Sequence, residues 1–167
     1  MLRHLKAPLS AALLALVLSA CAAAPAPEPP PTRAAPALYP GETPELRRMI
    51  RASAAEHGIP EALLHRVIQR ESDYRPGARN GPYWGMMQIL PQTARTMGFR
   101  GQPAELLDPE VNLRYAGRYL RGAWMVADGD IDRAVMWYAR GYYYEARDRC
   151  MLVQTGLAAR EVARHCR

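Results

Sequence analysis

Glu71 stands where a carboxyl can act as an acid. The surrounding residues, Leu63 to Pro76, read LLHRVIQRESDYRP. Leu64, Val67, Ile68 and Glu71 recur at i, i+3, i+4 and i+7, which is one face of a helix. The carboxyl therefore lies on an apolar stripe, at the C-terminal end of the helix. Burial disfavours its charged form, and the negative end of the helix dipole acts in the same direction. A carboxyl that keeps its proton near neutral pH can serve as a general acid. The competing reading is a helix-end Glu that reaches water, as surface Glu commonly does. From Tyr74 to Ala104 there is no Asp or Glu at all, and Asp73 points off the shared face or into the following loop, so the site reads as having one carboxyl.

The elements that must position this residue read as helices. Thr43-Pro44 is a side-chain cap followed by Pro at the first helical position. Leu46, Met49, Ile50 and Ala54 form that helix's inner face, and Gly58 ends it. Pro60 opens the Glu71 helix. Asp108-Pro109 caps a long helix to about Ala127, with Asn112, Ala116, Tyr119, Leu120 and Ala123 on one side. Asp130 caps another, in which Ile131, Ala134, Val135 and Tyr138 share a face, and a last helical stretch runs from about Glu145. No run alternates with period two over strand length. The expected fold is mainly α, helix packed on helix, with at most a small β element. Asn112, on an apolar face, reads as a buried amide tying backbone groups together.

Downstream of Glu71-Ser72 come Gly81-Pro82-Tyr83-Trp84-Gly85-Met86-Met87-Gln88-Ile89-Leu90-Pro91-Gln92-Thr93-Ala94. Together these segments resemble the SLT-type lytic transglycosylases, whose fold is lysozyme-like. Glu71, Ser72, Tyr74, Pro76, Ala78, Gly85, Met87, Gln88, Ile89, Pro91, Thr93, Ala94 and Gly98 match that family's pattern. Two further blocks follow in order: Asp108-Pro109 with Asn112 and Tyr119-Leu120, then Ala134 and Trp137-Tyr138-Ala139-Arg140-Gly141. The resemblance runs roughly from Thr43 to Gly141. It implies Glu71 as the catalytic acid and base, with the Tyr138 hydroxyl near it and helping to hold it. It further implies substrate contacts from Ser72, Asn80, Tyr83, Trp84, Met87, Gln88, Leu90 and Arg140. The faces of Tyr83 and Trp84 suit stacking on sugar rings, and a packed wall is the other reading. Tyr142, Tyr143 and Tyr144 are candidates for lining the same groove. Asn80 stands where many members have Ser, Ala139 replaces an Asn, and Met86 replaces a Leu.

Arg3, His4 and Lys6 precede the apolar run Leu9 to Ala20, which spans ~18 Å as a helix, short of a ~30 Å hydrocarbon core. It reads as an export signal. Leu18-Ser19-Ala20-Cys21 resembles a bacterial lipobox, so residues 1–20 are expected to leave and Cys21 to carry lipid. Ordinary cleavage after Ala22-Ala23-Ala24 is the alternative. Ala22 after the Cys resembles lipoproteins sorted to the outer membrane, which places the domain on its periplasmic side. Residues 21–42 read as a Pro-rich spacer that reaches ~60 Å if extended, and residues 43–167 as the catalytic domain. Cys150 and Cys166 remain as a pair in an oxidising compartment, and a disulfide between them would tie down the C-terminal segment. Two buried free thiols are the alternative.

Without Arg3 and Lys6 the chain has 20 basic against 16 acidic side chains, a net charge near +4. A mildly positive surface suits an acidic polymer such as peptidoglycan. Arginines are scattered and the chain is exported, which speaks against nucleic acid. No G-x-S-x-G elbow occurs, the three histidines after the signal lack metal-ligand spacing, and the one Lys lies in the signal, so no P-loop exists. No metal or organic cofactor is expected, and the chain reads as a monomer. The resemblance implies cleavage of peptidoglycan strands without water, leaving 1,6-anhydro ends. The rivals are a muramidase or chitinase-type hydrolase, needing a second carboxylate from Asp108, Asp128, Asp130 or Asp132, and a non-catalytic wall-binding lipoprotein.

Overall fold

The Thr43 hydroxyl accepts the Leu46 amide at 3.1 Å, and Pro44, with no amide proton to leave unpaired, takes the first helical position. So begins α1 (Pro44–His57). The computed structural model describes residues 36–166. The expected signal, Cys21 and most of the Pro-rich spacer lie outside the described residues. After α1 come α2 (Glu61–Glu71), a hairpin of β1 (Arg79–Asn80) and β2 (Tyr83–Trp84), then α3 (Pro91–Thr96) and a 3-10 turn over Pro103–Leu107. α4 (Pro109–Val126), α5 (Ile131–Arg140), α6 (Tyr143–Asp148) and a 3-10 turn over Arg164–Cys166 complete the chain. Asp108 caps α4 by accepting the Val111 amide at 3.0 Å, and Asp130 caps α5 by accepting the Arg133 amide at 2.8 Å.

The architecture is mainly α. α4 packs on α1 and α5, and α2 packs on the same two helices. Leu63, Leu64, Val67 and Ile68 of α2 meet Ile50 of α1, Ala116, Leu120 and Ala123 of α4, and Ala134 of α5 in one core cluster. Met86, Met87 and Leu106 close the core beneath the hairpin. The hairpin escapes a period-two search because each strand has two residues, with Arg79 opposite Trp84 and Asn80 opposite Tyr83.

The packed unit takes in residues 36–42 ahead of Thr43. Glu42 is buried, and Arg47 of α1 reaches back to the carbonyls of Pro36 and Ala37. Proline content conceals this, since most of the contacts come from Ala37, Tyr39, Gly41 and Glu42, between and after the prolines. At the other end, the structure joins Cys150 and Cys166 in a disulfide with Cα atoms 5.4 Å apart.

Candidate active site

α2 ends at Glu71, and its last turn carries the carboxyl out of the core. The amides of Ser72 and Asp73 both reach the Ile68 carbonyl at 3.0 Å, and Asp73 and Tyr74 then turn through φ values of 52° and 59°. These left-handed conformations are uncommon without glycine. The Glu71 side chain is 23% exposed, and Arg70 Nε is 3.8 Å from it. Burial raises its pKa above the ordinary value, and the Arg70 charge offsets part of that rise. A larger share of the carboxyl therefore keeps its proton near neutral pH than for a solvated Glu.

The second wall is the turn from Gly85 to Gln88. Gly85 has φ +76°, and a Cβ there would stand 2.1 Å from the Leu106 carbonyl oxygen and 2.2 Å from Asn112 Nδ2. Only glycine fits so close an approach. Asn112, fully buried on α4, accepts the Met87 amide at 2.8 Å and donates to the carbonyls of Trp84 at 3.0 Å and Leu106 at 2.8 Å. Gln88, at φ 48°, donates from Nε2 to Gly85 O at 2.7 Å and Ala78 O at 3.1 Å. One buried amide thus fixes the turn that presents Gln88.

α5 supplies the third wall. Tyr138 is buried, and its hydroxyl donates to the Met87 carbonyl at 2.8 Å. Tyr138 and Glu71 line the same cavity, and the hydroxyl's hydrogen bond goes to the turn opposite. Burial keeps the phenol neutral well above its usual range, reinforced by the nearby Glu71 carboxylate. Tyr119 packs edge-on against it at 5.5 Å and is itself pushed up to about 12 by burial.

Between these walls runs a groove made of two adjoining cavities. One, of about 350 Å³, is lined by Arg70, Glu71, Asn80, Tyr83, Gln88, Tyr138 and Ala139. The other, of about 200 Å³, shares Tyr83, Gln88, Tyr138 and Ala139 and extends past Leu90, Tyr119 and Arg140. Of the expected site residues, the structure brings Glu71, Asn80, Tyr83, Gln88, Leu90, Tyr138 and Arg140 together. It does not bring Ser72, whose buried hydroxyl donates to Met86 O at 2.7 Å, or Met87, whose side chain is buried in the core. Trp84 also stays outside the groove lining, half-buried with the Arg79 guanidinium 3.6 Å from its ring centroid. Tyr142 is buried and donates to Tyr119 O at 2.8 Å, while Tyr143 and Tyr144 are exposed on α6 outside the lining. Tyr119, read as one of the inner-face residues of α4, and Ala139, noted as replacing an Asn, line the groove without being among the expected site residues. Both lie in matched blocks, but Tyr119 shares an apolar helix face and Ala139 offers no functional group.

Residues 48–148 match the model of the transglycosylase SLT domain. The chain belongs to the SLT transglycosylase family. Similar proteins include the membrane-bound lytic murein transglycosylases C of Yersinia pestis (strain Pestoides F) and Yersinia pseudotuberculosis serotype O:1b (strain IP 31758). Each is 35% identical over 80 residues, covering 43% of this chain and 22% of the relative. The chain therefore spans about a fifth of the length of the curated relatives it matches. No solved structure matches it. The stretch shared with the SLT family contains α2, the hairpin, α4 and α5, the elements that build the groove.

Proposed function

We propose that this chain is a peptidoglycan lytic transglycosylase, cutting the β-1,4 bond between N-acetylmuramic acid and N-acetylglucosamine. The observation that carries the reading is the lone acid of the groove. Among the described residues, Glu71 is the one carboxylate lining either cavity. A hydrolase with two carboxylates flanking the bond finds no second one here. Asp108 and Asp130 cap helices, Asp128 pairs with Arg149 at 2.6 Å, and Asp132 pairs with Arg66.

A single carboxyl suffices if the substrate supplies its own nucleophile. Protonated Glu71 gives its proton to the glycosidic oxygen as that bond to C1 breaks, and the muramic N-acetyl group assists at C1. The carboxylate so formed takes the proton of the same sugar's 6-hydroxyl, whose oxygen closes on C1 to give the 1,6-anhydro ring. Intramolecular attack needs no ordered water and benefits from proximity. Half-burial suits both roles, since it favours the proton at the start and leaves a basic carboxylate afterwards. Tyr83 at the rim offers a ring face to sugar, and Gln88 and Asn80 offer polar contacts.

The same reading gives the chain a lipid anchor at Cys21, a periplasmic place at the outer membrane, and action as a monomer on glycan strands. The lipobox-like tetrapeptide and the Pro-rich spacer support it. Glu71→Gln tests the chemistry: it keeps the side-chain shape but cannot donate and retrieve a proton. Release of muropeptides should fall by at least ~10²–10⁴-fold with the melting temperature held. Wild-type release by that variant overturns the assignment.

A further inference from the structure

We propose that Glu42 is a positioning residue for Glu71: it pins the segment 36–42 onto the turn that ends α2, and so sets where the acid stands. The proposal rests on Glu71 being the general acid. Glu42 has no solvent exposure at its side chain. Its carboxylate accepts Arg47 Nε and Nη2 at 2.5 Å each and the Tyr39 amide at 2.9 Å. Arg47 in turn donates to Ala37 O at 3.1 Å and Pro36 O at 3.4 Å. Two charges bonded in this way inside the protein fold the segment back on itself. Burial opposes ionisation of Glu42, but its bonds to Arg47 and Tyr39 prevail and hold it charged.

The folded segment lies on the turn after Glu71. Tyr39 stacks on Tyr74 with ring centroids 6.1 Å apart and tilts against His65 at 4.8 Å. The Tyr74 hydroxyl is 2.7 Å from His65 Nδ1, and that nitrogen is 3.9 Å from Glu42. Gly41 also lies close against the turn, for a Cβ there would stand 2.9 Å from Asp73 O. Asp73 and Tyr74 are the two left-handed residues that immediately follow Glu71-Ser72. Such conformations persist where the surroundings over-determine them, and the segment supplies those surroundings. From the same turn, Ser72 Oγ donates to Met86 O at 2.7 Å and accepts the Arg75 amide at 3.2 Å. The next carbonyl, of Met87, holds Tyr138. A shift of Tyr74 is thereby passed to both walls of the groove. Residues that read as the end of a spacer are built into the scaffold of the acid.

The test uses the full chain with carbon-13-labelled Glu carboxyls, as wild type, Glu42→Gln and Gly41→Ala. Gly41→Ala is the milder change: it adds one methyl at φ +77° against Asp73 O and leaves the Glu42–Arg47 pair intact, so it decides the matter if Glu42→Gln does not fold. Two quantities are measured on folded variants: kcat and KM on soluble glycan strands, and the Glu71 titration by NMR. The charged and titratable groups facing Glu71 are Arg70 on its own helix, Tyr138 from α5 and Tyr83 from the hairpin, and all three are unchanged in both variants. We expect kcat to fall about tenfold or more with KM within about twofold, since small misplacements of reacting groups are costly. We also expect the Glu71 midpoint to drop toward that of a solvated Glu. A folded variant with wild-type kcat and an unmoved Glu71 midpoint overturns the proposal and leaves the segment a purely stabilising role. If wild type cleaves nothing while the midpoint still moves in the variants, positioning stands and the transglycosylase reading fails.

Discussion

Replacing Asn112 tests whether one buried amide holds the groove's far wall. Asn112→Asp keeps size and shape but turns the donor of two hydrogen bonds into an acceptor. The Trp84 and Leu106 carbonyls, now donated to at 3.0 and 2.8 Å, would each face a carboxyl oxygen. Trp84 O retains the Ile89 amide at 3.1 Å, so Leu106 O carries most of that loss. Asn112→Ala removes the acceptor of the Met87 amide as well, leaving that N–H buried without a partner. A lost bond costs about 1 kcal/mol and an orphaned buried group about 1–3 kcal/mol. Either variant should therefore lose about 3 kcal/mol, a large part of the ~5–15 kcal/mol typical of a domain. Urea unfolding reads the stability, and glycan cleavage below the transition reads the groove. Cleavage should fall beyond the folded fraction, because Gln88 and the Met87 carbonyl that holds Tyr138 sit on the freed turn. An Asn112→Asp protein within about 0.5 kcal/mol of wild type would refute the reasoning.

Cleavage should decline as pH rises through the Glu71 pKa, because the acid must begin protonated, and burial places that decline above the ordinary Glu range. Since Arg70 opposes the rise, Arg70→Gln should move the decline to higher pH; a move toward acid would contradict the assignment. Cys150 and Cys166 should be bonded, so thiol labelling of unreduced, denatured chain should find neither, and Cys150→Ser with Cys166→Ser should cost about 3 kcal/mol in the chain-entropy model. Cys21→Ser should release the chain from the membrane fraction without changing cleavage of purified peptidoglycan; membrane retention would point to ordinary signal cleavage or another anchor.

Helices with chemical punctuation were legible before the structure. Thr43-Pro44, Asp108-Pro109 and Asp130 each start a helix through a local side-chain cap, and such signals act within a few residues. The Glu71 face and the inward Asn112 were legible from helical spacing alone. The hairpin was not, because two-residue strands carry no periodicity, nor was the Glu42–Arg47 pair, whose burial depends on how 36–42 folds back. Tyr138 shows the limit differently. Its inward face was correct, but which acceptor takes its hydroxyl depends on the Gly85–Gln88 turn, set by contacts with α4 far away in sequence. Tyr83 and Trp84 are chemically alike and adjacent, yet the hairpin sends one to the groove and the other under Arg79.

The central claim is that one carboxyl cuts the strand with the substrate's own hydroxyl as nucleophile. Digestion of purified peptidoglycan in oxygen-18 water, followed by mass spectrometry of the released muropeptides, tests it most directly. The account predicts fragments one water lighter than reducing-end products and free of heavy oxygen at the new muramic end. Reducing ends carrying oxygen-18 would contradict it and identify a hydrolase.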